Sequence, residues 1–441
     1  MKKALIWIAV LVMAFLPFTA HAAVDFGTTP GGVSWSLDML GNLKLEGGET
    51  VPADGPWNKY ETDIRALVIG AGIRTVEAHA FYSLVNLRSV TVGKDVEKIE
   101  KQAFAFCDNL KSVTLLNGQT EFSGRSFWYS PYTELKMPSG ADYKIDRNCV
   151  LTRDGKILLH CLGGKEIKVP AGVEEIDEGA FCNNQDTATV ILPDTLKTIR
   201  SYAFEGCDLL TTVTVPPSVT TVGQRAFWYC DSLRDLYILG EHVTLDGYLQ
   251  FGCCYTLQTV VLPAVDFANL DPYNRVSMTF DSCSKLQKVI FTEGTTEIPG
   301  DFFAACRDLR EVYIPSSVKY IDDSVFSFGA KQPVIRCVKG SYAEQFAAEK
   351  GYRCVPYTQT ESITLTKTEI TIPKGKNAAV KETVAPRNVS IKEVKWFSTD
   401  SRVATVSKGK IRAVGAGECD IVCQAMDGSG VRGVCHITVE K

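Results

Sequence analysis

Histidine is scarce: five occur in 441 residues, and none stands in an HxH or HExxH arrangement. A metal centre built from neighbouring imidazoles is thereby excluded. The 15 cysteines contain no CxxC, which removes the zinc ribbon and the thioredoxin-like redox pair. No GxSxG elbow and no phosphate loop occur, and Gly70-Ala71-Gly72 lacks the third glycine of a dinucleotide fingerprint. Acidic residues are plentiful, but no pair is singled out by spacing. Positive charge is not in excess, with 47 Lys and Arg against 51 Asp and Glu. That balance argues against a nucleic-acid partner, whose phosphates need a basic face, and against electrostatic docking to an anionic membrane. Beyond the first 22 residues no apolar run could span a bilayer. These absences name no catalytic residue, no metal ligand and no cofactor, and they point away from an enzyme.

The exception at the start of the chain has a meaning of its own. Lys2 and Lys3 precede an apolar run from Ala4 to Phe18, and Ala20-His21-Ala22 fits a small-x-small cleavage site. Residues 1–22 are expected to be a cleaved secretory signal, since about 15 apolar residues fall short of the roughly 20 a membrane span needs. The mature chain would be secreted, periplasmic or held at the cell surface, with no membrane span.

What the sequence has in abundance is periodicity. Phe81, Phe104 and Phe127 are 23 apart, as are Phe181, Phe204 and Phe227, and again Phe280, Phe303 and Phe326, with Phe251 also in the series. Ala commonly precedes the Phe, Cys often follows three later and Leu six later, then apolar residues nine and eleven later. A fixed period of this length marks a solenoid, in which one short unit buries its apolar edge only by stacking on copies of itself. The L-x-x-V-x-V segment alternates at period two, so it forms a short strand, and its copies stack as a parallel sheet. About ten 23-residue coils are expected over residues 63–357.

The ends and interruptions differ. Residues 23–62 lack the repeat; Val33-Ser-Trp-Ser-Leu-Asp and Leu43-Lys-Leu-Glu flank Gly41-Asn42 as a hairpin cap carrying Trp35, with Trp57 nearby. A second hairpin is expected over Cys149–Cys161, turning at Asp154-Gly155, and a loop around Asp271-Pro272. At the far end a strand, helix and strand close the array, with Ser341 and Glu344 as a capping box and Gly351 as C-cap. Residues 358–441 change to short alternating strands, the pattern of a small all-β sandwich.

The cysteine slot of successive repeats stacks as a ladder. Coils lie about 4.8 Å apart, so pairing within it is not geometrically excluded, but Cys is a good small core residue and buried thiols are the favoured reading. The better disulfide candidates are Cys337 with Cys354, if their strands are neighbours, and Cys423 with Cys435 across the last hairpin, where two buried thiols serve equally well.

The candidate binding surface is the outward face of the stacked strands. Early coils carry Ser89, Thr91, Ser112 and Thr114 there, small and polar. Later coils place Tyr237, Val261, Ile290 and Tyr313 in one column beside Asp235, Lys288 and Glu311. Strand propensity alone favours Tyr, Val and Ile, but an apolar column rimmed by charge is also what an interface looks like. The pairs Trp128-Tyr129 and Trp228-Tyr229 either stack on sugar rings or pack between coils.

The A-F-x-x-C-x-x-L unit, whose phenylalanine recurs ten times and whose cysteine is missing after Phe127 and Phe326 among others, resembles the leucine-rich repeats of BspA-like bacterial surface proteins. Val33–Asp38 with Pro56-Trp57, and Lys339-Gly-Ser-Tyr-Ala-Glu-Gln-Phe-Ala, resemble the family's two caps. Val394-Lys-Trp-Phe-Ser-Thr-Asp-Ser-Arg-Val-Ala-Thr-Val-Ser resembles a group 2 bacterial Ig-like module. The resemblance implies a leucine-rich-repeat solenoid followed by an Ig-like sandwich, and an adhesin-type protein binding a host or cell-surface protein on its concave face. A carbohydrate-binding or glycan-handling accessory role is the alternative.

Overall fold

The computed structural model describes residues 23–270, 276–328 and 332–440. The expected signal segment and the loop around Asp271-Pro272 lie outside the described residues. Two compact units are present. One comprises the described residues up to Phe122 with Tyr129–Ala141, and the other Ser123–Trp128 with the residues from Asp142 on.

The first unit opens with three antiparallel strands, Ala23–Thr28, Ser34–Asp38 and Asn42–Glu46. The second and third are the expected hairpin, and the first was not foreseen. Gly41 turns it at φ 83°, and a Cβ there would meet the carbonyl oxygen of Asp63 at 2.3 Å. From Asn42–Glu46 the sheet continues in parallel through Ala66–Ile69, Ser89–Val92, Ser112–Leu115 and Glu134–Lys136. Alternate residues such as Val90 and Val92 are buried while Ser89 and Thr91 point outward, as period two requires. Trp57 is fully buried, stacks on Phe81 at 5.8 Å and donates its indole N–H to Ala80 O at 3.2 Å. An aromatic ring thus closes the end of the phenylalanine column.

The second unit carries the longer array. Nine strands from Glu166–Lys168 to Cys354–Pro356 form one parallel ladder. A second ladder begins with Tyr143–Asp146, continues through the Cys149–Thr152 and Ile157–Cys161 hairpin and runs on through short strands to Ala264–Ala268. The hairpin turns where expected, at Asp154-Gly155, with Asp154 accepting from Thr152 Oγ1 and Lys156 N. Between the ladders runs the phenylalanine column: Phe181, Phe204, Phe227, Phe251 and Phe280 stack at 4.6 to 5.5 Å. Each ring is 1% exposed or less. The backbone holds this spacing too, with Phe204 N–H donating to Ala226 O and Phe227 N–H to Gln250 O.

The chain bends around each ring through left-handed residues two before and two after it. Arg225 and Tyr229 flank Phe227, and Asp301 and Ala305 flank Phe303, all with φ between 52° and 56°. Gly179 and Gly206 take the same slots at other coils. Non-glycine residues adopt this region at a cost, so the inter-coil hydrogen bonds are what enforce it.

At the far end Phe326 meets Tyr352 at 5.2 Å, and Tyr352 stacks on Phe346 of helix α1 (Tyr342–Lys350) at 5.9 Å. Gly351 ends the helix at φ 74°. The capping box is corrected: Ser341 makes no side-chain cap bond, and Glu344 reaches instead to the N–H of Gly340 at 2.6 Å. Cys337 and Cys354 form a disulfide, with Cα atoms 6.6 Å apart on paired strands.

The C-terminal region is all β. Val394–Ser398, Gly417–Ala425, Arg432–Glu440 and Glu369–Pro373 make one sheet, and Ala404–Ser407, Lys410–Ala413 and Asn377–Ala379 another. Ile372, Ile411, Ile421, Ile437 and the thiols of Cys423 and Cys435 fill the core between them. The candidate pairing of Cys423 with Cys435 is not made: Cys423 lies opposite Gly433 and Cys435 opposite Ile421. That diagonal offset separates Cα atoms by about 7–8 Å, beyond ordinary disulfide reach.

Candidate functional site

The parallel register builds the candidate column residue by residue. Tyr237 pairs with Val261, Val261 with Ile290, and Ile290 with Tyr313. In the adjoining row Asp235 pairs with Thr259, Thr259 with Lys288, and Lys288 with Glu311. All these side chains leave the solenoid core, because the residues between them, such as Leu236, Val260, Val289 and Val312, fill it.

The column is nevertheless not open to solvent. Val261, Ile290 and Tyr313 are 4%, 2% and 5% exposed, while Asp235, Tyr237, Lys288 and Glu311 are half-buried. The C-terminal sandwich covers them. Leu239, Val261, Ile290 and Tyr313 form one apolar cluster with Tyr357 and Met426, and Phe397 and Ile391 pack at its margin. The Tyr313 and Tyr357 rings meet edge to face at 5.2 Å. The sequence-based expectation of an exposed column is corrected on this point.

The turn after Met426 makes the closest approach. Glu293 N–H donates to Gly428 O at 2.9 Å, and a Cβ on Gly428, whose φ is 81°, would stand 2.3 Å from Phe291 O. Asp427 shapes this turn, accepting from Thr360 N and Oγ1 at 2.6 Å and from Ser429 N at 3.0 Å. Around the apolar patch the contacts are polar. Arg432 Nη1 lies 2.7 Å from Glu241 Oε1, Ser401 N–H donates to Asp194 Oδ2 at 2.7 Å, and Lys395 Nζ sits 3.6 Å over the Tyr237 ring. Burial pushes the Tyr313 phenol up. Burial also opposes the charge of Glu311, but Arg336 and Lys288 outweigh it and hold that carboxyl below its usual value. Beside the covered patch a groove of about 360 Å³ remains, lined by Thr189, Ile191, Thr212, Thr214, Pro216 and Phe397.

Sequence reasoning missed the covering residues Tyr357, Lys395, Phe397, Met426 and Arg432. Each reads as ordinary strand or turn material.

Known proteins now bear on this geometry. Residues 59–151, 156–274 and 265–331 match the BspA-type leucine-rich-repeat region in 6 copies. The chain belongs to the BspA-type leucine-rich-repeat family. Residues 359–434 match the group 2 bacterial Ig-like domain. A leucine-rich-repeat protein from Eubacterium ventriosum is similar at 19% identity and a TM-score of 0.51, over 70% of this chain and 96% of that one. The pneumococcal vaccine antigen PcpA matches at 11% identity and a TM-score of 0.45, over 76% of this chain and 100% of that one. A leucine-rich cell surface protein from Faecalibacterium prausnitzii matches at 20% and 0.32, over 73% and 97%. Among curated proteins none matches the chain. Proteins of this repeat family are typically surface-associated bacterial proteins and generally bind proteins.

The BspA-type cysteine slot proves to be a hydrogen-bonding position. Cys207, Cys230, Cys254, Cys283 and Cys306 each place Sγ 3.1 Å from the carbonyl oxygen of the phenylalanine one coil back. All are free buried thiols. Burial pushes Cys107 up to about 12. After Phe127, where the cysteine is missing, Ser130 substitutes, donating to Phe104 O at 2.6 Å and accepting from Cys107 N at 2.9 Å.

The aromatic pairs after the repeat phenylalanine make ring and cation contacts within the solenoid, although Tyr229 stays 36% exposed. Tyr129 stacks on Phe106 at 5.0 Å; Trp128 lies under Arg125 and donates to Glu205; Trp228 lies under Arg225 at 4.4 Å and abuts Tyr229. Among the described residues no group of three or more His, Cys, Asp and Glu is placed to hold a metal ion, and no helix is long and apolar enough to cross a membrane.

Proposed function

We propose that this protein is an exported, non-enzymatic binding protein of adhesin type, secreted or held at the cell surface, whose repeat array engages a protein partner. The partner surface is the outward strand face around Asp235, Tyr237, Val261, Lys288, Ile290, Glu311 and Tyr313. The observation that carries this reading is that the same face already seats a folded protein module through an apolar centre and a charged rim, the anatomy of protein interfaces. Removal of residues 1–22 delivers the array outside the cytoplasm. A glycan-handling role draws less support, because sugars stack on open ring faces and arginine takes one face of Trp128 and one of Trp228. The deciding experiment sets a glycan array against a panel of host matrix and cell-surface proteins, using the full mature chain. Binding to at least one protein is expected; signal on glycans alone refutes the proposal.

A further inference from the structure

The described molecule contains three separate apolar clusters in its second unit. The solenoid core runs along the phenylalanine column, the sandwich has its own core, and the patch holding Val261, Ile290, Tyr313, Tyr357 and Met426 is distinct from both. Neither larger core needs the third to be complete. The ion pair at the rim joins Arg432, 19% exposed, to a Glu241 that is 84% exposed, and a pair open to solvent on one side contributes little to folding. The sandwich is therefore seated on the strand face as a ligand is, not merged into it.

We infer that the Ig-like module occupies the strand face as an intramolecular competitor, and that the external partner is a protein loop copying the docked turn. That loop carries a flexible apolar side chain, a glycine at left-handed φ two residues after it in the turn, and a basic residue on its C-terminal flank. This deepens the proposed protein-binding function and rests on it.

Each part of the specification comes from a contact. Met426 supplies the apolar anchor, and thioethers fill irregular pockets well. Gly428 is required because any Cβ would collide with Phe291 O at 2.3 Å. Main-chain recognition by Glu293 N–H reads no side chain and so accepts any such turn. The acidic groups Glu241 and Asp194, with the Tyr237 ring, receive Arg432, the Ser401 amide and Lys395. Within the turn the cation is Arg432 on its C-terminal flank, Lys395 and Ser401 coming from other segments of the module; an acidic residue in the place of Arg432 would be repelled. Because module and partner use one surface, the apparent affinity for the partner is the intrinsic affinity multiplied by the fraction of molecules whose module is displaced.

The test uses the full chain and a cyclic peptide of residues 424–432, Gln-Ala-Met-Asp-Gly-Ser-Gly-Val-Arg. Two releasing variants are compared with the parent: Gly428→Val, which clashes with Phe291 O, and the doubly charge-reversed Lys395→Glu/Arg432→Glu, which leaves both larger cores untouched. Release is read from the rate of Met426 oxidation by peroxide, followed by mass spectrometry. Both variants are expected to oxidise Met426 at least tenfold faster and to bind the peptide at least tenfold more tightly than the parent. Adding Tyr313→Ser should abolish that binding. Unchanged Met426 protection in both variants, or equal peptide affinity in parent and released chains, overturns the inference. A protein panel with no hits for the released variants as well as the parent would instead refute the adhesin reading while leaving the peptide result standing.

Discussion

Replacing Cys230 separates two explanations for the cysteine slot. If the slot merely wants a small apolar filler, Ala suits it better than Ser, because a buried hydroxyl without a partner costs about 1–3 kcal/mol. The geometry says otherwise. Cys230 Sγ lies 3.1 Å from Phe204 O, which otherwise keeps only the longer 3.3 Å bond from Cys207 N–H. Cys230→Ala removes that donor and the buried sulfur, and both losses together come to about 2 kcal/mol. Cys230→Ser trades the sulfur volume for a stronger O–H donor to the same carbonyl, the arrangement Ser130 already makes with Phe104 O at 2.6 Å. Its cost should stay below about 1 kcal/mol. The assay is urea unfolding of the full chain followed by circular dichroism, comparing midpoints at constant slope. The expected order of stability is Cys, then Ser, then Ala. Serine proving worse than alanine would refute the hydrogen-bonding role.

Phe204→Ala empties the space between rings at 4.6 and 4.9 Å and should cost roughly 3–5 kcal/mol in urea unfolding; a near-neutral midpoint contradicts the ring column. Ala305, half-buried with φ at 55°, should tolerate glycine unusually well, Ala305→Gly raising stability by up to about 1 kcal/mol where the same change in a helix lowers it. Alkali should destabilise the fold. Burial holds the Cys107 and Cys149 thiols up at about 12 when folded, so the unfolded chain releases their protons first, and stability is full below about pH 8.5 and is lost as pH climbs from there through 12. Each such thiol contributes about 1.4 kcal/mol per pH unit within that window, and a urea midpoint unchanged between pH 8 and 10 refutes the assignment.

The solenoid was legible because its period is written in side chains that must all be buried. A phenylalanine returning at a fixed interval has one packing solution, and the alternation around Val90, Val113 and Val213 sets the strand register. The strand Ala23–Thr28 was not legible, since Val24 and Phe26 are 55% and 73% exposed and leave no buried pattern to read. The composition of the outward column was legible for the same reason as the core: period two assigns Tyr237 and Tyr313 to the outer face. Its cover was not. Contacts between residues such as Asp194 and Ser401, or Glu241 and Arg432, join segments far apart in the chain, and no local pattern encodes them. The serine replacement at Ser130 was also missed, because a motif search for cysteine is blind to a hydroxyl doing the same work.

The buried thiols stand in register from Cys207 to Cys306, one per coil, each shielded only by the closure of its own coil. In the folded chain no oxidant reaches them. A coil that opens in the presence of peroxide, however, lets one thiol be oxidised to a sulfenic acid, and a neighbouring thiol then displaces water from it to leave a disulfide that locks the opening in place. The lifetime of the array under strong oxidant, where reaction outpaces reclosing, is consequently set by how often a coil opens; under mild oxidant it follows the equilibrium share of open coils. Two variants of equal free energy therefore age alike in mild oxidant and part company in strong oxidant, where the one whose coils breathe more often ages faster.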